Sequence, residues 1–90
     1  MHTQAHVLVK GKVQGVFFRA SIQREARKRQ VVGWVRNLSD GCVEAVVEGK
    51  RERVEEIIDF CRKGPSLAIV TEVNVSWEEA SGHYVTFRII

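Results

Sequence analysis

The sequence predicts an α+β domain in which two helices cover one face of an antiparallel sheet. Three observations predict it: the patterns run strand, helix, strand, strand, helix, strand, strand, both helical segments are apolar on one side only, and ninety residues can bury one two-layer core but not a second. This order is that of the ferredoxin-like split βαβ sandwich, here with an extra C-terminal strand. We therefore expect one domain over residues 1–90.

The first strand is predicted over residues 6–13, where an alternating apolar pattern ends at a turn. Gly11 and Gly15 flank this turn, so the backbone can adopt positive φ angles and approach a ligand closely. A helix follows over residues 18–29. Its apolar residues recur at four-residue steps and form a narrow stripe: Phe18, Ile22 and Ala26.

A β-hairpin is predicted next, with strands over residues 33–38 and 42–48 and an Asp40-Gly41 turn between them. In the second of these strands, alternate small apolar side chains are expected to face the helices: Val43, Ala45 and Val47. Cys42 has the opposite parity, so its thiol is expected to point away from that face.

The second helix is predicted over residues 51–63, where apolar residues recur at i, i+3, i+4 and i+7 and define a core-facing side: Val54, Ile57, Ile58 and Cys61. Gly64 is expected to end this helix in the left-handed conformation, and Pro65 prevents its continuation. Since Cys61 is expected in the core and Cys42 outside it, we expect no disulfide between them. Both cysteines are predicted to remain thiols.

Two further strands are predicted over residues 69–77 and 83–90, joined by a polar segment. Each shows apolar residues alternating with polar ones. The position at which the last strand joins the sheet does not follow from the sequence pattern.

The charge and composition of the chain indicate which classes of binding partner to expect. A net charge of +3 favours anionic partners. The basic residues of the first helix have no interleaved aromatic residues, so a solvated helix face is favoured over a nucleic-acid patch. No apolar segment approaches membrane-spanning length, and residues 1–6 lack the pattern of a secretory signal. We therefore expect a cytoplasmic protein.

The glycine turn and the start of the first helix form a candidate anion site. N–H groups at a helix N-terminus attract phosphate, and Arg19 adds a planar charged fork suited to phosphate oxygens. The segment lacks the ending of a nucleotide P-loop and the third glycine of a dinucleotide-binding motif. By spacing alone, an ordinary strand-to-helix turn remains the commoner interpretation.

Two segments resemble signatures of the acylphosphatase family. The first is Gly11, Val13-Gln14-Gly15-Val16 and Phe18-Arg19, and the second is Gly33-Trp34-Val35-Arg36-Asn37 followed by Gly41, Val43 and Gly49. The resemblance extends over nearly the whole chain, to Phe87-Arg88-Ile89. Two departures stand out. Gln30 lies where many members have glycine, and Phe17 lies at a position that is often small or variable. They are expected to affect the helix end and the pocket rim rather than the activity.

The resemblance implies hydrolysis of the carboxyl-phosphate anhydride of small acyl phosphates to a carboxylate and inorganic phosphate, without a metal or cofactor. It implies that Arg19 binds the phosphoryl group, that Asn37 positions a water, and that the intervening loop supplies backbone N–H groups. The phosphate-binding residues are then Gln14, Gly15, Val16, Phe17, Phe18 and Arg19. Inorganic phosphate is expected as product or inhibitor. We expect a monomer with no membrane or nucleic-acid partner.

The alternative is a catalytically degenerate acylphosphatase-like module that binds an anion or RNA. An RNA-recognition module needs aromatic residues on its third strand, and residues 42–48 contain none. A more serious rival is an accessory domain of the kind fused to carbamoyl-transfer maturation proteins. The chain shows no linker before its end at Ile90, which favours a free-standing enzyme.

The three histidines are expected at the surface or at strand ends.

Overall fold

The computed structural model describes residues 2–90, and its elements follow the predicted order. They are β1 (His2–Lys12), α1 (Phe18–Lys28), β2 (Val32–Asn37), β3 (Val43–Lys50), α2 (Arg51–Lys63), β4 (Ile69–Glu79) and β5 (Phe87–Ile89). The bounds of α2 match the prediction residue for residue. Those of α1 and β2 differ from it by one residue.

The sheet has the strand order β4-β1-β3-β2-β5. The first four of these strands pair antiparallel, as predicted. β5 instead lies parallel to β2, with Gly33 opposite Phe87 and Val35 opposite Ile89. The sheet is therefore mixed, and the C-terminal strand forms the edge beside β2.

The predicted last strand, over residues 83–90, was too long. Its first residues leave the sheet because the preceding turn is held elsewhere: the carboxylate of Glu48 accepts hydrogen bonds from the Ser81 and Gly82 N–H groups at 2.8 and 3.0 Å. Val85 is consequently 92% exposed. Regular pairing begins only at Phe87, whose side chain enters the core.

Three strands extend beyond their predicted ends: β1 begins at His2, β3 ends at Lys50 and β4 ends at Glu79. Thr3 of β1 lies opposite Gly49 of β3 on one side and Glu79 of β4 on the other. The residues at these ends are mostly polar, so they show no alternation of apolar and polar residues that would predict a strand. Their backbone groups are nevertheless paired, because neighbouring strands supply partners whatever the side chains.

Both helices pack on one face of the sheet and enclose one core. The predicted inward residues of β3 are fully buried in it, as are the apolar residues at four-residue steps along α1. Cys61 also lies in this cluster, and burial raises the pKa of its thiol to about 12. Cys42 lies outside the cluster, and both cysteines are free, as predicted.

The ends of the two helices depart from ordinary geometry. Gly64 has φ 73° and ψ 177°, so the predicted left-handed conformation is wrong in ψ. This region is open essentially to glycine alone, and a Cβ at this position would lie 2.7 Å from the Phe18 ring. After α1, Gln30 adopts φ 57° without being glycine. Its side-chain oxygen accepts a hydrogen bond from Arg53 at 3.1 Å.

Neither helix within residues 2–90 has the length and apolar character required to cross a bilayer.

Candidate active site

A cavity of about 320 Å³ lies where the β1–α1 loop meets the ends of β2 and β5. Its walls come from three segments that are distant in sequence: residues 13–20, the end of β2 and β5. The lining residues are Val13, Gly15, Phe17, Phe18, Arg19, Ala20, Asn37 and Ile89. The structure therefore brings Arg19 and Asn37, the two predicted catalytic residues, to the same cavity.

The β1–α1 loop presents a run of free backbone donors. No N–H group from Gly15 to Arg19 donates a hydrogen bond within residues 2–90, and the first backbone bond of α1 runs from the Ser21 N–H to the Phe17 carbonyl. No side chain caps the helix, and its first turn contains no acidic residue. Free N–H groups and the positive end of the helix dipole both favour an anion here.

Arg19 lies in the first turn of α1 and is half-buried. Its guanidinium makes no hydrogen bond or ion pair with any residue between 2 and 90. A positive charge near a helix N-terminus is unfavourable by itself, by about 0.3–1 kcal/mol. An anion in the cavity would reverse this interaction, because it would attract both the guanidinium and the free N–H groups.

Asn37 is the last residue of β2 and has the same strand parity as Val35, which faces the helices. This parity directs the Asn37 side chain toward the N-terminus of α1. Its Oδ1 atom is buried and accepts no hydrogen bond within residues 2–90. Leaving a buried acceptor unpaired costs about 1–3 kcal/mol. A donor that enters the cavity, such as a water, would relieve this cost.

The turn after Asn37 contains the predicted residues Ser39, Asp40 and Gly41, of which only Gly41 has a positive φ, 94°. The Asp40 carboxylate accepts a hydrogen bond from the Cys42 N–H at 3.0 Å, and the Leu38 N–H donates to the Cys42 carbonyl at 2.9 Å. The hydrogen bond from Cys42 holds the pKa of Asp40 below its usual value. Asp40 therefore shapes the turn that ends β2 and does not line the cavity.

The six predicted phosphate-binding residues divide into two groups. Gly15, Phe17, Phe18 and Arg19 line the cavity, whereas Gln14 and Val16 do not. The Val16 side chain is buried in the core, as is that of Phe18, and together they fix the path of the loop. Gln14 uses its side chain to contact the β2–β3 turn.

Three lining residues were not among the predicted site residues: Val13 and Ala20, which flank the predicted loop, and Ile89, which comes from the opposite end of the chain. Ile89 reaches the cavity because β5 lies parallel to β2, next to the strand that carries Asn37. The alternating pattern of the last residues predicted a strand but not its neighbour. No local signal in the sequence could have placed Ile89 at the site.

Among the described residues that line the cavity, Arg19 is the one with an ionisable side chain. His6 contacts Glu44 at 2.7 Å, and Arg36 contacts the same carboxylate at 2.6 Å. The hydrogen bond from His6 and the nearby Arg36 keep the pKa of Glu44 below its usual value despite partial burial. Within residues 2–90, no three His, Cys, Asp or Glu side chains are grouped closely enough to hold a metal ion.

Comparison with known proteins gives concordant results. The family model described as Acylphosphatase matches residues 5–89. An acylphosphatase from Thermococcus kodakarensis is 60% identical over 79 residues, covering 88% of this chain and 87% of the relative. One from Chloroflexus aurantiacus is 54% identical over 87 residues, covering 97% and 95%. The solved structure of an acylphosphatase from Coxiella burnetii matches with a TM-score of 0.93 at 42% identity, covering 99% and 93%.

Proposed function

The chain belongs to the acylphosphatase family and hydrolyses acyl phosphates, and from this premise we propose how its residues carry out the reaction. Arg19 and the N–H groups of the β1–α1 loop bind the phosphoryl group. Asn37 positions the attacking water, and no metal takes part. The observation that supports this assignment is the meeting, in one cavity, of an unpaired guanidinium with an unpaired buried carbonyl oxygen.

The substrate needs little help with its leaving group. The carboxylate released from an acyl phosphate is the conjugate base of an acid with a pKa near 4, so it departs without a proton donor. Phosphoryl transfer through a loose transition state depends mainly on positioning and on stabilising charge. An arginine on the transferring group contributes about 10³ to 10⁵ in rate, or roughly 4 to 7 kcal/mol. Arg19 with the loop N–H groups can supply this contribution.

The water must approach the phosphorus opposite the departing carboxylate. The Oδ1 atom of Asn37 accepts a hydrogen bond from this water and so aligns its oxygen for attack. An amide cannot take the proton at neutral pH. As the new P–O bond forms and the P–O bond to the acyl group breaks, the water proton moves to a phosphoryl oxygen. The second water proton stays on the attacking oxygen, so the products are a carboxylate and dihydrogen phosphate, H₂PO₄⁻.

Residues on the open face of β3 do not favour the RNA-binding alternative. The strand that would stack bases there presents Glu44 and Glu48, whose carboxylates bind His6 and Ser81 respectively. Acidic groups repel a phosphate backbone, and the same strand has no aromatic side chain.

The test compares hydrolysis of benzoyl phosphate with that of p-nitrophenyl phosphate, a phosphomonoester, in the presence and absence of EDTA. We expect turnover of the anhydride alone, at the same rate with and without the chelator. Loss of activity in EDTA that added Mg²⁺ restores would contradict the proposal that no metal takes part. Comparable turnover of the monoester would contradict the leaving-group argument.

A monomeric state and a cytoplasmic location also belong to the proposal. The first rests on the family resemblance, and the second on composition and the sequence pattern. Sedimentation equilibrium of the purified chain tests the first, and fractionation of cells that express it tests the second.

A further inference from the structure

Two large apolar side chains are exposed at the rim of the active-site cavity. Phe17, at the start of α1, is 73% exposed, and Ile89 of β5 is 39% exposed. They come from opposite ends of the chain and line the same cavity. Exposed apolar residues grouped around a pocket are typical of a surface that is covered when a ligand binds.

The backbone of Phe17 is held in an unfavourable conformation. Its φ of 65° and ψ of 24° lie in the left-handed region, which bulky residues rarely occupy. An exposed ring cannot offset this strain by packing inside the protein. Strain of this kind concentrates at ligand-binding sites, where the position of the side chain serves binding.

The remaining walls of the cavity are nearly free of charge. Arg19 is the one ionisable side chain among the lining residues, and it lies beside the N–H groups assigned to the phosphoryl group. Val13 and Ala20 add further apolar surface. An acyl group that carried a second negative charge would find no second cation in the lining. A neutral apolar acyl group would instead cover surface that water now contacts.

We propose that Phe17 and Ile89 form the subsite for the acyl group and select neutral, apolar acyl phosphates, aromatic ones in particular. This inference rests on the proposed placement of the phosphoryl group at Arg19. A volume of about 320 Å³ lies at the lower end of the range for small-molecule sites, which fits a phosphoryl group with one small ring or short chain. An aromatic acyl group gains contact with the Phe17 ring that an acetyl group cannot make.

The first experiment uses the unaltered protein and measures kcat/KM for benzoyl, acetyl and succinyl phosphate. Benzoyl phosphate is expected to be preferred over acetyl phosphate, and succinyl phosphate, whose acyl group carries a second carboxylate, is expected to be the poorest substrate. A preference for succinyl phosphate would overturn the inference, and so would equal values for benzoyl and acetyl phosphate.

The second experiment measures the ratio of kcat/KM for benzoyl to acetyl phosphate in Phe17→Ala and Ile89→Ala. We expect this ratio to fall about 5- to 20-fold in each variant, mainly through a higher KM for benzoyl phosphate. Phe17→Asn separates two effects, because asparagine tolerates the left-handed conformation but offers no apolar ring. It should lose the preference as Phe17→Ala does, whereas Phe17→Leu should retain part of it.

The matched control is Leu67→Ala, which truncates a side chain that is 63% exposed but does not line the cavity. Its ratio should equal that of the unaltered protein. An unchanged ratio in both Phe17→Ala and Ile89→Ala would overturn the inference. An equal loss on both substrates would also overturn it, since Phe17 would then act on the phosphoryl group. Failure of the proposed catalytic assignment is recognised by a different result, namely that inorganic phosphate still inhibits Arg19→Ala.

Discussion

The side-chain amide of Gln14 donates a hydrogen bond to the carbonyl oxygen of Leu38 at 2.7 Å. The same nitrogen donates to the carbonyl oxygen of Cys42 at 2.9 Å. These two bonds join the β1–α1 loop, which carries the anion-binding groups, to the turn that follows Asn37. Gln14 therefore holds the two halves of the candidate site at a fixed separation without lining the cavity itself.

Replacing Gln14 is expected to lower turnover through position rather than through charge. Gln14→Ala removes both bonds, and a displacement of about 1 Å between water and phosphorus can lower a rate about 100-fold. We expect kcat to fall about 10- to 100-fold, with a much smaller change in inhibition by phosphate.

Gln14→Glu tests whether the hydrogen bonds that the Gln14 amide donates are required for activity. A carboxylate cannot donate to Leu38 or Cys42, whereas a protonated carboxyl group can donate to one of them. The activity of this variant relative to the unaltered protein should therefore rise as the pH falls from about 7 to about 5. A constant relative activity over that interval, measured with benzoyl phosphate, would argue against the positioning role.

Replacing Arg19 should remove anion binding itself. Arg19→Ala is expected to lower kcat/KM by about 10³ to 10⁵ and to abolish inhibition by inorganic phosphate. Arg19→Lys should recover only part of the activity, because an ammonium group keeps the charge but not the planar fork. Arg24→Ala on the same helix is the control, since this side chain is 64% exposed and lies outside the cavity. Phosphate inhibition that survives in Arg19→Ala would remove Arg19 from its assigned role.

Asn37→Ala is expected to separate activity from stability. Loss of the water-positioning oxygen should lower kcat about 100-fold or more, while inhibition by phosphate stays within about threefold because Arg19 is unaltered. The substitution also removes a buried acceptor that has no hydrogen-bond partner. The free energy of unfolding of the variant should therefore equal that of the unaltered protein or exceed it by up to about 1 kcal/mol. Urea denaturation measures the second quantity.

Asn74→Ala, at an exposed position of β4, controls for the loss of an amide elsewhere. Activity of Asn37→Ala within a few-fold of the original would refute its role. A large loss of stability would indicate instead that Asn37 supports the fold.

Glu48 is expected to make stability depend on acid pH. Burial raises the pKa of this carboxyl group, but the hydrogen bonds from Ser81 and Gly82 outweigh burial and hold it below the ordinary value of 4.5. Because the folded-state pKa is lowered, this carboxylate stabilises the fold above about pH 4.5, and the contribution is lost as the pH falls through the folded-state value.

Glu48→Gln should therefore lower the free energy of unfolding at pH 7 by about 1–3 kcal/mol, and the difference from the original should shrink below about pH 4.5. Thermal or urea unfolding at several pH values measures this. Glu79→Gln, at an exposed end of β4, is the matched control for the loss of one carboxylate. A difference that stays constant down to pH 3 would contradict the assignment.

Local pattern predicted α2 and the hairpin well. The four apolar residues on one side of α2 recur at helical spacing and are all buried, and Gly64 with Pro65 marks the end of that helix. The alternation in β3 likewise gave the correct inward face. These features are decided by residues within a few positions of one another, so the sequence carries them directly.

The sequence by itself determined the order of the elements, the inward faces and the family resemblance that named Arg19 and Asn37. Only the tertiary structure decided that β5 lies parallel to β2, that Ile89 lines the cavity, and that the Gln14 side chain bonds to the β2–β3 turn. The physical reason is that periodicity reports which side of a segment avoids water. Strand pairing and long-range hydrogen bonds depend instead on partners that the chain brings together only when it folds.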